Sequence, residues 1–160
     1  MKAVLQRVRR AEVHVEGLCA GRIEQGLLVY VGLACGDGEA QVSEMARKVA
    51  NIRIFQDASG KMNLTVQDVG GSVLAVPNFT LLADAGKGRR PAFVDAADPK
   101  QASLLFDRFV ATLKEMGCGV EAGAFGTHME INSQADGPVN IILDMPCQGE
   151  KGQSKGEETQ

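Results

Sequence analysis

Two short stretches carry residue types that could act on a polar bond. The first is Val76-Pro77-Asn78-Phe79-Thr80-Leu81. A proline removes one ladder donor, so a strand holding Pro77 should end there or lie at a sheet edge. The backbone N–H groups just beyond it are then free to point into a site. Such donors, in a concave site, stabilise an oxyanion as it develops. Thr80 adds a hydroxyl. The same residues also read as a plain strand end with Phe79 buried. The second stretch is Ala135-Asp136-Gly137-Pro138. Asp-Gly is a turn signal, and a proline after glycine commonly opens a new element. Read locally, this is a hairpin connection. X–Pro bonds in folded proteins are cis in about one case in twenty, and nothing local selects that isomer here. Between the two lies Gly86-Lys87-Gly88-Arg89-Arg90-Pro91. Its cations could hold phosphates on a glycine-rich loop, or it could be a solvated loop.

Familiar hydrolase and nucleotide machinery is missing. The chain has no Gly-x-Ser-x-Gly elbow, no His-Glu-x-x-His, no P-loop and no Gly-x-Gly-x-x-Gly after a strand. Of the two histidines, His14 reads as solvent-facing beside Glu16. His128 lies opposite Met129 and Ile131 and reads as structural, though it could approach a cleft. The cysteines, Cys19, Cys35, Cys118 and Cys147, form no Cys-x-x-Cys pair. They read as reduced and structural, and neither a zinc site nor a cofactor is suggested.

The elements that must position these residues follow from periodicity. Residues 3–8 and 11–16 alternate as two strands, with Ala11, Val13 and Val15 on one face of the second. Gly17 and Gly21 punctuate a turn. Leu27 to Leu33 is nearly all apolar and suits a buried strand. Residues 38–51 place Val42, Met45, Ala46 and Val49 at helical spacing, with Asp37 as N-cap. Residues 53–55 and 72–76 read as strands. The clearest helix is 99–116, with Asp98 at the cap, Pro99 at the first helical position and Gln101 as capping-box partner. Its stripe is Leu105, Phe109, Leu113 and Met116, and Gly117 can end it. Residues 127–133 alternate again, and Pro138 opens a last strand, Val139 to Met145.

Many strands and two helices imply an α+β domain, with the helices laid on mostly antiparallel sheet. A chain of 160 residues, 44% hydrophobic, suits one domain over residues 1–147. Residues 148–160 hold no apolar side chain and read as a disordered tail. No apolar run could cross a bilayer, and the N-terminal run is too short for a signal peptide, so a soluble cytoplasmic protein is expected. A net charge of −3 argues against broad, phosphate-dominated nucleic-acid binding. It leaves room for a local basic patch that holds one RNA end.

Taken in order along the chain, these stretches resemble the D-aminoacyl-tRNA deacylase family. Gln6-Arg7-Val8, Arg53-Ile54-Phe55, Asp57, Gly60-Lys61-Met62-Asn63, Phe79-Thr80-Leu81, Ala83-Asp84, Gly88-Arg89-Arg90-Pro91, Phe125-Gly126, Met129 and Gly137-Pro138 carry the likeness. It runs from Met1 to about Met145. The resemblance implies a barrel-like core with two main helices packed on it. It also implies hydrolysis of the ester joining a D-amino acid, or mischarged glycine, to the 3′-terminal adenosine of tRNA. The family works as a homodimer with active sites at the subunit interface. The Gly-Pro pair of one subunit, in cis, enters the pocket of the other and excludes L-side chains with main-chain atoms. Rejection by clash discriminates more strongly than one apolar contact. On this resemblance Gly137 and Pro138 would be the chirality filter. Asn78, Phe79 and Thr80 would line the pocket with backbone N–H groups near the scissile carbonyl. Arg7, Phe125 and Met129 would support it, and Lys87, Arg89 and Arg90 would contact the tRNA end. Thr80 has no evident activating base, which a nucleophilic hydroxyl normally requires. Attack by water, assisted by a ribose hydroxyl, is therefore the expected route.

Four departures stand out. The family usually has Ser-Gln before Phe-Thr-Leu, where this chain has Pro77-Asn78. Its second motif usually reads Asn-x-Gly-Pro-x-Thr, where this chain has Ala135 and Asn140. Proline at the first of these positions is similar to a sister branch that edits certain mischarged L-aminoacyl-tRNAs with a trans Gly-Pro bond. Phe79 and Val139 resemble the D-specific branch. Two alternatives therefore stay open: the sister-branch activity, and a catalytically weak homologue that binds aminoacyl-tRNA.

Overall fold

A computed structural model describes residues 1–86 and 88–146 of the chain. Lys87, Cys147 and the polar segment 148–160 lie outside the described residues. Eight strands and two α-helices are described. They are β1 (Lys2–Val15), β2 (Leu18–Ile23), β3 (Gly26–Gly32), α1 (Glu39–Asn51), β4 (Phe55–Gln56), β5 (Met62–Leu64), β6 (Ser72–Pro77), α2 (Pro99–Glu115), β7 (Gly119–Ala122) and β8 (Glu130–Asp144). A 3₁₀ turn, Phe79–Leu82, follows β6.

The main sheet runs β2-β1-β3-β6-β7, with β8 on the other edge of β1. The two strands expected over residues 3–8 and 11–16 are one long strand. The first half of β1 pairs antiparallel with β3 and the second half with β2, while β8 follows it along nearly its whole length. The polar interruption Arg9-Arg10 does not break the strand, because both residues lie on exposed positions of it. Antiparallel pairing dominates as expected, but β3–β6 and β6–β7 are parallel. Helices provide the crossovers that parallel strands require.

The sheet curls until β2 approaches β7. A Cβ on Gly21 would stand 3.1 Å from the carbonyl oxygen of Ala122. Gly21 is thus no turn residue; it lies inside β2, where the sheet nearly closes on itself. Successive residues of β3 and β6 point to opposite faces. Leu27, Val29, Val31, Val73 and Ala75 meet the helices in the larger core. Leu28, Leu74 and Val76 enter a second core inside the curl, with Val8, Ala11, Val13 and Ile23. Burial on both faces explains why these two strands read as unbroken apolar runs.

Helix α1 starts one residue later than expected, with Gly38 as N-cap and Gln41 Oε1 accepting from the Gly38 N–H at 3.0 Å. Asp37 is not the cap. It is buried, and its Oδ1 accepts from the Met1 ammonium at 2.8 Å. That ammonium also donates to the carbonyl of Met145 at 2.8 Å. Asp98 does cap α2, accepting from the N–H groups of Lys100 and Gln101. The Gln101 side chain makes no capping box; it donates to the Asp37 carbonyl instead. Met116 is the C-cap residue of α2, and Gly117 follows with φ +86°. The strand expected at 53–55 forms only at Phe55–Gln56, paired with Met62–Leu64.

The hairpin expected near Asp136 does not form. Residues 130–144 are one strand, interrupted by a bulge. Ala135 pairs with Val8 and Asn140 with Gln6, so residues 136–139 span the space opposite Arg7 alone. The Gly137–Pro138 bond is cis. Gly137 and Pro138 are exposed, while Val139 is buried in the larger core.

Candidate active site

The first motif is built by a strand that stops. β6 is an inner strand, between β3 and β7, so the edge placement allowed by Pro77 is not the one used. The ladder ends at Pro77, and the Asn78 N–H makes a last bond to Val31 O at 2.7 Å. The chain then turns tightly. Asn78 caps the turn, its Oδ1 accepting from the Thr80 N–H at 3.1 Å and from the Thr80 hydroxyl at 2.5 Å. Two of the three N–H groups expected to be free are therefore taken. Of the three, the Phe79 N–H is the donor left without a bond among the described residues.

This turn borders a cavity of about 630 Å³ at the carboxyl ends of β3 and β6. Asn78, Phe79 and Thr80 form one wall. Phe125, Met129 and Ile131 form another, from the segment that leads into β8 and from β8 itself. Tyr30 on β3 and Ala102 on α2 contribute to the rest. Its size and mostly apolar wall, with a few polar groups, suit a small organic ligand. Burial pushes the Tyr30 hydroxyl above its usual value, so it stays protonated near neutral pH. A second groove, of about 410 Å³, lies between β2, β1 and β8. It is polar, and its Arg22 is already held by Glu12 through Nε at 3.0 Å and Nη2 at 2.8 Å.

The sequence-derived site residues do not all meet. Asn78, Phe79, Thr80, Phe125 and Met129 line one cavity. Gly137 and Pro138 do not line it in the same chain, nor do Arg7, Arg89 and Arg90. Arg7 is buried beneath the β8 bulge. Its Nε donates to the Asp136 carbonyl at 3.1 Å and stands 3.1 Å from Asp136 Oδ2. Its Nη1 donates to Ile54 O at 2.6 Å. Arg7 thus braces the Gly137–Pro138 segment rather than the cavity wall. Arg89 and Arg90 are exposed, on a loop whose ends are joined by the reciprocal bonds Asp84 N–H to Ala92 O (2.8 Å) and Ala92 N–H to Asp84 O (2.9 Å).

Tyr30 and His128 also line the cavity, and the sequence reading assigned neither to the site. Tyr30, the chain's single tyrosine, was hidden in an apolar strand, and only its hydroxyl marked it. His128 is not structural; it is exposed and lines the cavity rim. Phe79 is not buried either, being 59% exposed.

A nearly closed sheet with two helices on one side, and a mostly apolar cavity walled in part by the turn after β6, define an α+β domain with a ligand-sized cleft. The family model described as D-Tyr-tRNA(Tyr) deacylase matches residues 4–144. The chain belongs to this family. The D-aminoacyl-tRNA deacylase of Lactobacillus delbrueckii subsp. bulgaricus is 48% identical over 145 residues, covering 91% of this chain and all of the relative. That of Anaeromyxobacter dehalogenans is 51% identical, covering 90% of this chain and 97% of the relative. Among solved structures, one described as c-Myc DNA Unwinding Element Binding Protein superposes with a TM-score of 0.86 at 37% identity, covering 91% of this chain and 99% of its own.

Proposed function

We propose that this protein is a D-aminoacyl-tRNA deacylase. It hydrolyses the ester between a D-amino acid, or glycine, and the 3′-terminal adenosine of tRNA. The observation that carries this reading is the meeting of Asn78, Phe79 and Thr80 with Phe125 and Met129 around one cavity, in a chain of this family. The unpartnered Phe79 N–H suits an ester carbonyl oxygen as it gains charge. Thr80 is a poor nucleophile, because its hydroxyl proton is donated to a neutral amide oxygen and not to a base. Water attacks the carbonyl carbon, the bond to the ribose oxygen breaks, and a proton passes to that oxygen. The neighbouring ribose hydroxyl assists, and the cavity supplies orientation.

The enzyme works in the cytoplasm as a homodimer whose active sites lie at the subunit interface. Gly137 and Pro138 of one subunit reach the cavity of the other and exclude L-side chains. What supports this arrangement is that the pair is exposed and outside its own chain's cavity, on a bulge anchored by Arg7 and Val139. Lys87, Arg89 and Arg90 contact the tRNA end. Matched D- and L-tyrosyl-tRNA test the reading: D-tyrosyl ester should be released and L-tyrosyl ester spared. Equal release from both, or none, would overturn it.

One observation favours a second reading. Pro77, which departs from the usual family residue, lies in the cavity wall. Editing of a mischarged L-aminoacyl-tRNA would use the same site. Inertness toward L-alanyl-tRNA mischarged on a threonine tRNA would remove it.

A further inference from the structure

The Phe79 ring lines the cavity, and a second ring stands against it. Phe93 meets Phe79 edge-on, with centroids 5.0 Å apart and planes at 68°. Phe93 does not line the cavity. It packs on the Phe79 ring from outside the cavity lining and is itself partly exposed. Both rings keep open surface, Phe79 at 59% and Phe93 at 37%, and Val94 beside them is 80% exposed. Phe93 also follows directly on Ala92, the residue that closes the loop bearing Arg89 and Arg90. Neither arginine forms an ion pair among the described residues.

An open aromatic face beside unneutralised cations suits single-stranded nucleic acid: bases stack on the rings and phosphates meet the cations. Charge also sets the direction in which such a strand leaves the cavity. On another side the cavity shares Thr127 and His128 with a groove lined by Glu16 and Glu130. Glu16 and Glu130 repel a phosphate there, whereas the 84–95 segment offers Arg89 and Arg90 alongside the carboxylates Asp84 and Asp95, the first already accepting from the Gly86 N–H at 2.8 Å. The cavity has room for an aminoacyl group with one nucleoside. The next nucleotide must then lie outside it.

We infer that Phe93 is a positioning residue that stacks the nucleobase preceding the aminoacylated nucleotide, with Arg89 and Arg90 holding the adjoining phosphates. This inference rests on the deacylase reading for the identity of the RNA end, but its test does not depend on hydrolysis. The probe is a short RNA hairpin with a single-stranded 3′ CCA end, compared with the same hairpin made abasic at the penultimate position. Phe93→Ala should weaken binding of the base-bearing hairpin about 5- to 150-fold and leave the abasic one unchanged. Phe93→Tyr, which restores a ring, should recover the affinity. Arg89→Gln and Arg90→Gln should weaken both hairpins alike and flatten the salt dependence. Light scattering on Phe93→Ala guards against another occupant, since a fall in molar mass would mean that a second copy of the chain covers the ring. That result overturns the inference. So does equal weakening of both hairpins by Phe93→Ala, weakening of neither, or a wild-type protein that does not tell them apart. Failure to release D-tyrosine with base-selective binding intact would strike the deacylase reading alone.

Discussion

Arg7 and Asp136 are joined twice, the guanidinium Nε standing 3.1 Å from both the backbone carbonyl and the Oδ2 of Asp136. The contact spans 129 residues of sequence and places the base of the Gly137–Pro138 bulge against the core. The third bond of Arg7, to Ile54 O, ties that base to the segment after α1. A planar fork suits these separate acceptors better than a point charge does.

Removing that fork should loosen the bulge. Arg7→Ala leaves the Ile54 and Asp136 carbonyls without their buried donor and should cost about 2–4 kcal/mol, less than a fully enclosed pair because Asp136 is partly exposed. Arg7→Lys should recover part of the stability but not the full activity. Urea unfolding and D-tyrosyl-tRNA hydrolysis, measured on both variants, check this. Wild-type activity in Arg7→Ala would contradict the bracing role.

Gly137 admits no side chain in its present conformation. An added Cβ would fall 2.2 Å from the Val139 nitrogen, and φ is +156°, where L-residues are rare. Gly137→Ala must therefore reshape the bulge. Because the residue is exposed, the loss in stability should stay near 1–3 kcal/mol, with deacylation falling far more than stability. Near-native activity would argue that the shape of residues 136–139 is unimportant.

Thr80→Val deletes a hydroxyl whose recorded partner is Asn78 Oδ1. If water is the nucleophile, the rate should fall by less than about tenfold, the scale of one lost orienting hydrogen bond. Loss of the order of 10⁴ or more, the scale seen when a nucleophile is removed, with an unchanged circular dichroism spectrum, would assign Thr80 as the attacking group.

Asp37 and the Met1 ammonium form a fully buried ion pair. Asp37→Asn leaves the ammonium enclosed without its counter-charge, which should destabilise the fold by about 3–5 kcal/mol. Asp37 does not itself line the cavity, and its amide replacement keeps an oxygen for the Ala34 N–H, so kcat of the folded fraction should hardly change. A urea midpoint equal to that of wild type would disprove the cost.

The Asp57 carboxyl is held below its ordinary value of 3.8, chiefly by the Ser59 hydroxyl and then by the Lys61 N–H. A depressed folded pKa means that the unfolded chain takes up the proton first. The contribution is therefore complete above the unfolded value and is lost as pH falls below it toward the folded one. Asp57→Asn should flatten the stability profile below about pH 4 and leave its shape near neutrality alone. Parallel acid profiles for the two proteins would show that Asp57 plays no part.

Much of this protein was legible in the chain because the signals were local. Helix α2 follows from Asp98, Pro99 and a stripe at helical spacing, all set within a few residues of one another. The end of β6 follows from Pro77, whose ring cannot donate to a ladder. What was misread depended on partners far along the chain. Residues 2–15 look like two strands until β8 pairs along both halves. Asp37 looks like a cap until the chain's own first residue occupies its carboxylate. His128 reads as structural, with a cleft only an option, until the fold places it on the cavity wall.

The same division holds for the site. By itself the sequence determined which residue types were available: a proline-stopped strand, the Asn-Phe-Thr that follows it, a Gly-Pro pair and two arginines on a glycine-rich loop. Their order along the chain was enough for the family resemblance. Only the tertiary structure decided that Asn78–Thr80 and Phe125–Met129 share one cavity while Gly137 and Pro138 are exposed outside its lining. That choice depends on where β8 docks on β1 and on the four-residue bulge opposite Arg7, a balance of long-range pairing and packing that no short window of sequence contains.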